Sequence, residues 1–136
     1  NYTYFYFMKT ILYTFLYVFA LTMISCKKKP SAGLGGNANL KTTAFHHTAP
    51  IDSGIVYIKF NSSEAPADNT YDLNQPLTKD SNNNSYTIFK GLKKGDYYLY
   101  AEGWDPLIAA NVKGGLPYTI GEEGDISLTI PVTEVH

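Results

Sequence analysis

Short stretches in which apolar and polar residues alternate, separated by glycine, proline and asparagine, fill residues 38–135. In residues 54–60, for example, Val56 and Ile58 fall on one face of an extended chain and Lys59 falls on the other. A repeat of two residues is typical of a strand with one buried face, and no stretch of comparable length repeats at the helical period. This part of the chain is therefore predicted to be all-β.

Turn residues set the number and the length of the predicted strands. Residues 91–95 carry a glycine at each end, as a β-hairpin connection does. Two longer connections are predicted to be loops, the polar segment 61–84 and the segment 104–116. No connection leaves room for a crossover helix, so residues 37–136 are predicted to form an antiparallel, seven-strand Greek-key β-sandwich. The predicted strands are residues 38–47, 54–60, 71–77 (a short edge strand), 85–89, 96–103, 117–120 and 125–135.

The composition limits the kinds of partner that this chain can have. It has 136 residues and a formal net charge of −1, and all 11 of its basic residues are lysines. Nucleic-acid binding is not expected, because it relies on a basic face with clustered arginine side chains. The single cysteine, Cys26, excludes an internal disulfide and a zinc site built from paired cysteines.

The first part of the chain differs in character from the rest. Residues 10–25 are uncharged and mostly apolar, and they follow Lys9. A basic start, an apolar core and small residues before a cleavage point are the architecture of a secretory signal. Residues 8–25 are therefore predicted to form a signal helix, and residues 1–7, which precede Met8, to be upstream reading frame. An uncleaved membrane anchor is the alternative, although a spanning helix normally needs about 20 apolar residues.

Cys26 ends this segment, and residues 21–26 resemble the lipobox of bacterial lipoproteins of the Bacteroidetes type, with Met23 where leucine is usual. The resemblance implies acylation of Cys26, and acyl chains hold a protein at a membrane. An incidental unpaired cysteine is the alternative. Residues 26–36 are predicted to be a flexible tether whose lysines meet anionic headgroups. We therefore expect a lipid-anchored outer-membrane protein. Because no acidic export tag follows Cys26, the periplasmic face is favoured over the cell surface.

Residues 86–101 carry a more specific pattern. A strand that ends in an aromatic residue leads through a Gly-Leu-Lys-Lys-Gly turn into a tyrosine-rich strand. This pattern resembles the central hairpin of transthyretin-like domains, which are also called prealbumin-like or carboxypeptidase regulatory-like. Residues 54–58 and 126–132 resemble the second and the closing strand of the same fold. The resemblance implies a fold rather than a function, because this sandwich serves as an accessory, stalk or transporter module.

Two adjacent histidines, His46 and His47, are the first candidate metal ligands. Neighbours on a strand point to opposite faces, so these side chains share one metal only if the strand has ended, and Pro50 is close enough for that. His136, in the last predicted strand, is a further candidate. The alternative is one histidine on a polar edge and one stacked on aromatic rings.

A polar turn is the second candidate for a metal. Asp80, Asn82 and Asn84 have the 1-3-5 oxygen spacing of a calcium loop, but they lack the glycine and the glutamate that complete such a loop. An ordinary solvated turn is the alternative.

Four residues near the end of the tyrosine-rich strand form a candidate ligand site. Tyr100 and Glu102 lie on the strand, and Trp104 and Asp105 are predicted to lie in the following loop. An exposed aromatic ring beside carboxylates is typical of sites that stack on sugars. The alternative is that Trp104 packs against the end of the sandwich.

The function predicted from these features is non-catalytic. The sequence contains no recognisable nucleophile and base pattern and no glycine-rich phosphate loop, so an enzyme is not expected. We expect an envelope lipoprotein whose sandwich binds another envelope protein or is a structural accessory. The alternative is a small-ligand module that binds carbohydrate through Trp104, or a divalent metal or haem through His46 and His47. Apart from such a metal or haem, no cofactor is expected.

Overall fold

The computed structural model describes residues 29–135, and every regular element in this range is a β-strand. The prediction of an all-β chain is confirmed for these residues. None of them belongs to a helix with the length and apolar character that crossing a membrane requires. The predicted signal segment, Cys26 and His136 lie outside the described residues. The strands are β1 (Leu34–His46), β2 (Ala49–Pro50), β3 (Ser53–Phe60), β4 (Leu73–Pro76), β5 (Thr78–Lys79), β6 (Ser85–Leu92), β7 (Gly95–Asp105), β8 (Ala110–Ile120) and β9 (Asp125–Glu134).

The strands form one sheet in the order β4-β3-β7-β8-β9-β1-β6-β5, and β2 pairs with the end of β1. All neighbours are antiparallel except β1 and β9, which run parallel from Asn39 beside Asp125 to His46 beside Val132. The prediction of an antiparallel sheet is therefore wrong, because the sheet is mixed. The alternation of side chains on which that prediction relied specifies the face of each residue but not the direction of the neighbouring strand. The β-hairpin predicted at residues 91–95 is also wrong, because β6 and β7 pair with other strands and not with each other.

The two outer strands of the sheet approach each other, so the sheet is nearly closed into a barrel. The chain passes directly from β4 to β5, although these strands stand at opposite ends of the strand order. Leu77, between them, donates its N–H to the carbonyl of Gly54 at 2.9 Å. Thr87 Oγ1 on β6 donates to Gln75 Oε1 on β4 at 3.0 Å. The contact between β4 and β6 brings the two ends of the strand order together.

The predicted inner face of β3 is confirmed, and β7 buries the face that carries Tyr97 and Leu99. Val56 and Ile58 of β3 are fully buried, as are Tyr97 and Leu99 of β7, whereas Tyr100 lies half-exposed on the outside. Removing each of these large side chains from water stabilises the fold by about 1.5–3 kcal/mol. The inner residues of the other long strands join the same core.

The loop predicted at residues 104–116 is wrong for most of its length. β7 continues to Asp105 and β8 begins at Ala110, so only residues 106–109 connect them. β8 pairs with β7 along its whole length, including its two adjacent glycines. Cross-strand hydrogen bonds therefore form a strand where intrinsic propensity does not favour one.

Two other boundaries also depend on tertiary contacts. β1 begins at Leu34, inside the segment predicted as a tether (residues 26–36), and Ala32 before it is buried. The edge strand predicted within residues 71–77 is confirmed by β4, which interrupts the long polar segment 61–84.

The strand directions define two ends of the barrel. At the proximal end, β1 begins at Leu34 beside Leu92, and the β6–β7 and β8–β9 turns lie there. At the distal end, β1, β7 and β9 stop at His46, Asp105 and Glu134 respectively. Residues from distant parts of the sequence therefore meet at the distal end.

Candidate functional site

A buried histidine and a buried aspartate are paired at the distal end. His46 and Asp105 are 59 residues apart in sequence, and both are almost inaccessible to solvent. His46 Nδ1 lies 2.7 Å from Asp105 Oδ2, and Asp105 Oδ1 accepts the backbone N–H of Leu107 at 2.8 Å. Burial opposes ionisation of Asp105, but the hydrogen bonds from Leu107 and His46 outweigh it, so the pKa of this carboxyl lies below its ordinary value.

The other nitrogen of the His46 ring faces Glu134. Nε2 is buried and has no hydrogen-bond partner among the described residues, although Glu134 Oε2 lies 3.4 Å away. The Glu134 side chain is 39% exposed, so the site opens to solvent on this side. A hydrogen bond from its own backbone amide and the nearby His46 and His47 rings lower the pKa of Glu134.

His47 lies beside His46 because β1 ends between them. His47 occupies the turn that leads to β2 and has a φ of +54°, in the left-handed region. Its ring centroid is 4.3 Å from that of His46, with the ring planes tilted by 43°. The sequence pattern predicted that both histidines can share a metal only if the strand ends between them. The strand does end there. The potential ligand atoms of His46, His47 and Glu134 all lie within 4.8 Å of one another.

The predicted calcium loop is an ordinary polar turn in its hydrogen bonding. Asp80 Oδ1 accepts the backbone N–H groups of Asn82 and Asn84, each at 2.9 Å. These bonds, that from Asn84 first, lower the pKa of Asp80. The carboxylate is already used within the turn, as in the alternative interpretation, and it does not belong to the histidine cluster.

The candidate ligand site around Trp104 is divided between the two faces of β7. Tyr100, Glu102 and Trp104 share the outer face, where Trp104 is 42% exposed. Asp105 points inward to His46, so its predicted association with the tryptophan is wrong. The tryptophan lies on the strand and not in a loop. Alternation along one strand separates neighbours in this way.

Three tyrosines and one glutamate form a connected group on this outer face. Tyr57 is paired with Tyr100 across β3 and β7, and the ring centroid of Tyr71 lies 5.2 Å from that of Tyr57 and 5.7 Å from that of Tyr100. Tyr57 Oη donates to Glu102 Oε1 at 2.7 Å. This hydrogen bond, together with partial burial, raises the pKa of Tyr57 to about 12. Burial also raises the pKa of Tyr71 and of Tyr100.

A groove of about 520 Å³ adjoins this tyrosine group at the distal end. Tyr100 and Glu102 of β7 line it between Ile55 of β3 and Asn111 and Lys113 of β8. Ile55 and Val135 contribute apolar surface to the groove. The groove therefore combines an aromatic face with a carboxylate, an amide and an ammonium group.

Several residues of these sites were missed from the sequence. Glu134 is the clearest, and the signal for it was present: Ile130 and Val132 face the core, so the next residue on that face is a carboxylate at the end of β9. The position of Tyr71 could not be predicted in this way, because Tyr71 lies in a segment without alternation. Its ring packs on that of Tyr100 on β7.

The chain was compared with protein-family models, with curated proteins and with solved structures, and none of the three comparisons found a match.

Proposed function

We propose that this protein is a non-enzymatic binding module of the cell envelope, anchored through Cys26, and that it takes a carbohydrate in the groove beside Tyr100. The groove carries the ligand part of the proposal. A sugar presents an apolar ring face and a rim of hydroxyls, which calls for an aromatic surface next to hydrogen-bonding groups. Tyr100 supplies the ring, and Glu102, Asn111 and Lys113 supply acceptors and donors.

The size and the rigidity of the groove support a small ligand. A volume of about 520 Å³ is within the usual range of ligand sites. Its walls are paired strands, and Tyr100 is held between Tyr57 and Tyr71. Little entropy is lost when a ligand meets side chains that are already in place.

A glycan array probed with the full chain in detergent tests this function. We expect one class of glycan to bind, and we expect Tyr100→Ala to weaken that binding by at least about tenfold, since aromatic anchors contribute about 2 kcal/mol or more. Tyr86→Ala is the matched control, because Tyr86 is a half-exposed tyrosine on β6, across the barrel from the groove. Absence of glycan binding at micromolar protein, or equal binding by both variants, would contradict the proposal.

A second candidate function is binding of another envelope protein through the β7–β8 connection. Leu107 is 76% exposed, and Trp104 and Ile108 beside it are each 42% exposed. Exposed apolar side chains grouped at one place are typical of protein contacts. Photo-crosslinking in intact envelopes from position 107, with and without Trp104→Ala, tests it: we expect one discrete product that the substitution weakens, and no product from position 122, in the β8–β9 turn.

The family and the anchor belong to the same proposal. The sequence pattern of residues 86–101 supports a transthyretin-like Greek-key fold, in which β6 and β7 follow each other in the chain and pair with other strands. The lipobox-like sequence supports acylation of Cys26, and the absence of an acidic tag supports the periplasmic face of the outer membrane. Intact-mass spectrometry of membrane-extracted protein should give the mass of a diacylated or triacylated chain beginning at Cys26. An unmodified cysteine in that material would contradict the anchor.

A further inference from the structure

The distal end contains a buried imidazole nitrogen for which the fold provides no hydrogen bond. His46 Nε2 is inaccessible to solvent and unpaired among the described residues. A buried polar atom without a partner costs about 1–3 kcal/mol, so native proteins rarely leave one without a use. Glu134 Oε2 is the nearest acidic oxygen, at 3.4 Å, which is beyond ordinary hydrogen-bond distance.

The opposite nitrogen of the ring determines what Nε2 offers. Asp105 is acceptor-only when ionised, so His46 Nδ1, 2.7 Å from Oδ2, carries the proton of that hydrogen bond. In the neutral ring, Nε2 then carries a lone pair, and the nearest acidic oxygen is Glu134 Oε2 at 3.4 Å. A histidine held through one nitrogen by a carboxylate, with the other nitrogen free, is the arrangement of metal-binding histidines in proteins.

The distances around Nε2 fit the coordination shell of a metal. In a tetrahedral zinc site with ligand bonds of about 2.0–2.1 Å, neighbouring ligand atoms are about 3.3–3.4 Å apart. The separation of 3.4 Å between His46 Nε2 and Glu134 Oε2 equals that edge. His47 is exposed in the turn, and its ligand atom lies within 4.8 Å of both others. A three-residue set therefore requires the His47 side chain to rotate toward the other two ligand atoms.

We propose that His46, His47 and Glu134 bind a divalent transition-metal ion of the zinc class at the distal end, with Asp105 orienting the His46 ring. Two neutral imidazoles and one carboxylate are ligands that Zn²⁺ uses, and they leave a fourth position for water. The carboxylates of Glu134 and Asp105 together balance the charge of a divalent ion. The exposed sides of His47 and Glu134 provide the entry path. This site is separate from the proposed carbohydrate groove and does not depend on it.

Calorimetric titration with Zn²⁺ alone tests the proposal, on the full chain in detergent, without a polyhistidine tag and after treatment with a chelator. We expect one Zn²⁺ per chain. At a free Zn²⁺ concentration about a hundredfold above the dissociation constant, the melting temperature should rise by about 10 °C and return on addition of chelator. The nitrogen resonance of His46 Nε2 should shift on binding, while the Nδ1 proton remains on its nitrogen.

Two substitutions that spare the buried pair locate the ion. His47→Ala and Glu134→Gln should each weaken Zn²⁺ binding at least about tenfold, and Asp105→Asn should weaken it by about 10–100-fold through the orientation of His46. Glu122→Gln is the matched control for the loss of a carboxylate, because Glu122 is exposed in the β8–β9 turn at the proximal end, and it should bind Zn²⁺ as the unmodified chain does.

The same measurements also separate this site from its alternatives. If Zn²⁺ does not raise the melting temperature, or if His47→Ala and Glu134→Gln both bind it unchanged, the cluster is only an ion pair that joins the ends of three strands and the proposal is wrong. Tyr100→Ala should leave Zn²⁺ binding intact, and His47→Ala should leave glycan binding intact, so each of the two proposals can fail alone.

Discussion

The two ends of this barrel use their polar side chains differently. At the proximal end, Tyr97 Oη donates to the carbonyl of Lys93 at 2.6 Å and accepts the N–H of Gly33 at 3.1 Å. At the distal end, His46 is equally buried but only one of its two ring nitrogens is paired. Among the described residues, the other buried side-chain atom without a partner is the hydroxyl of Thr42, midway along β1.

The proximal hydrogen bonds hold residues 32 and 33, which precede β1, against the barrel. Asn61 Oδ1 accepts the N–H of Ala32 at 2.8 Å, and its Nδ2 donates to the carbonyl of the same residue at 3.3 Å. An ion pair between Lys29 and Asp96 adds a contact there. The comparison indicates that the proximal polar groups stabilise the fold through hydrogen bonds, whereas His46 Nε2 at the distal end remains available to bind a ligand. The predictions that follow test this distinction.

The largest loss of stability is expected for Asp105→Ala. The substitution leaves buried His46 without its partner and removes the acceptor for Leu107 N–H, and breaking a buried polar pair from one side is strongly destabilising. We expect the melting temperature to fall by about 15 °C. Asp105→Asn keeps an oxygen acceptor and should lose less than half as much. An Asp105→Ala variant that melts at the same temperature as the unmodified chain would show that the distal pair has no structural role.

Tyr97→Phe tests the proximal end with the removal of one oxygen atom. It leaves the N–H of Gly33 and the carbonyl of Lys93 without their partner and keeps the buried ring, so we expect a loss of about 1.5 kcal/mol in urea unfolding. Cleavage by a nonspecific protease just before Leu34 should become faster. Unchanged protection of that segment would contradict the role assigned to the proximal hydrogen bonds.

A pair of substitutions at Asn61 separates hydrogen bonding from backbone conformation. Asn61 has a φ of +54°. Asn61→Gly tolerates that conformation and loses only the side-chain bonds to Ser31 and Ala32, whereas Asn61→Ala also strains the backbone. We expect alanine to be less stable than glycine by about 1 kcal/mol in urea unfolding. If the two variants unfold at the same urea concentration, the left-handed conformation is not retained in them.

The smallest effect on stability is expected for Glu102→Gln on the outer face, within about 0.5 kcal/mol. Its spectroscopic effect should be large, because the carboxylate holds the pKa of Tyr57 at about 12, against an ordinary value of 10.0. The raised pKa means that this contact stabilises the fold fully below about pH 10 and that the contribution is lost as the pH rises to about 12. Ultraviolet titration should show one tyrosine returning toward pH 10 in the variant. A titration curve identical to that of the unmodified chain would contradict the assignment.

The sequence predicted the strands and their faces better than it predicted their neighbours. The alternation at Val56 and Ile58 identified the buried face of β3, because a side chain on a strand points to one of two sides and burial selects between them. The same reasoning failed for β8, where the segment before Pro117 has no alternation and becomes a strand by pairing with β7. Intrinsic pattern is sufficient where one face is buried and insufficient where a neighbour supplies the hydrogen bonds.

The candidate sites show the same limit. The sequence singled out His46 and His47 as metal ligands and stated that the strand has to end between them. It also singled out Asp105, but as a neighbour of Trp104 on the surface, and it did not include Glu134. Each residue type was informative, whereas the grouping depended on contacts between residues as far apart as 59 positions.

What the sequence determined by itself is local: strands rather than helices, the face that each residue of an alternating strand occupies, and the break between β6 and β7 at Lys93 and Lys94. Only the tertiary structure decided that β1 runs parallel to β9 and that the sheet curls until its outer strands meet. The physical reason is that alternation with a period of two residues specifies which face of the sheet a side chain occupies. The period is the same in every strand, so it does not specify which strands are neighbours in the sheet. Partners are selected by the closure that buries the shared core, and that closure brings His46 to Asp105 and Glu134.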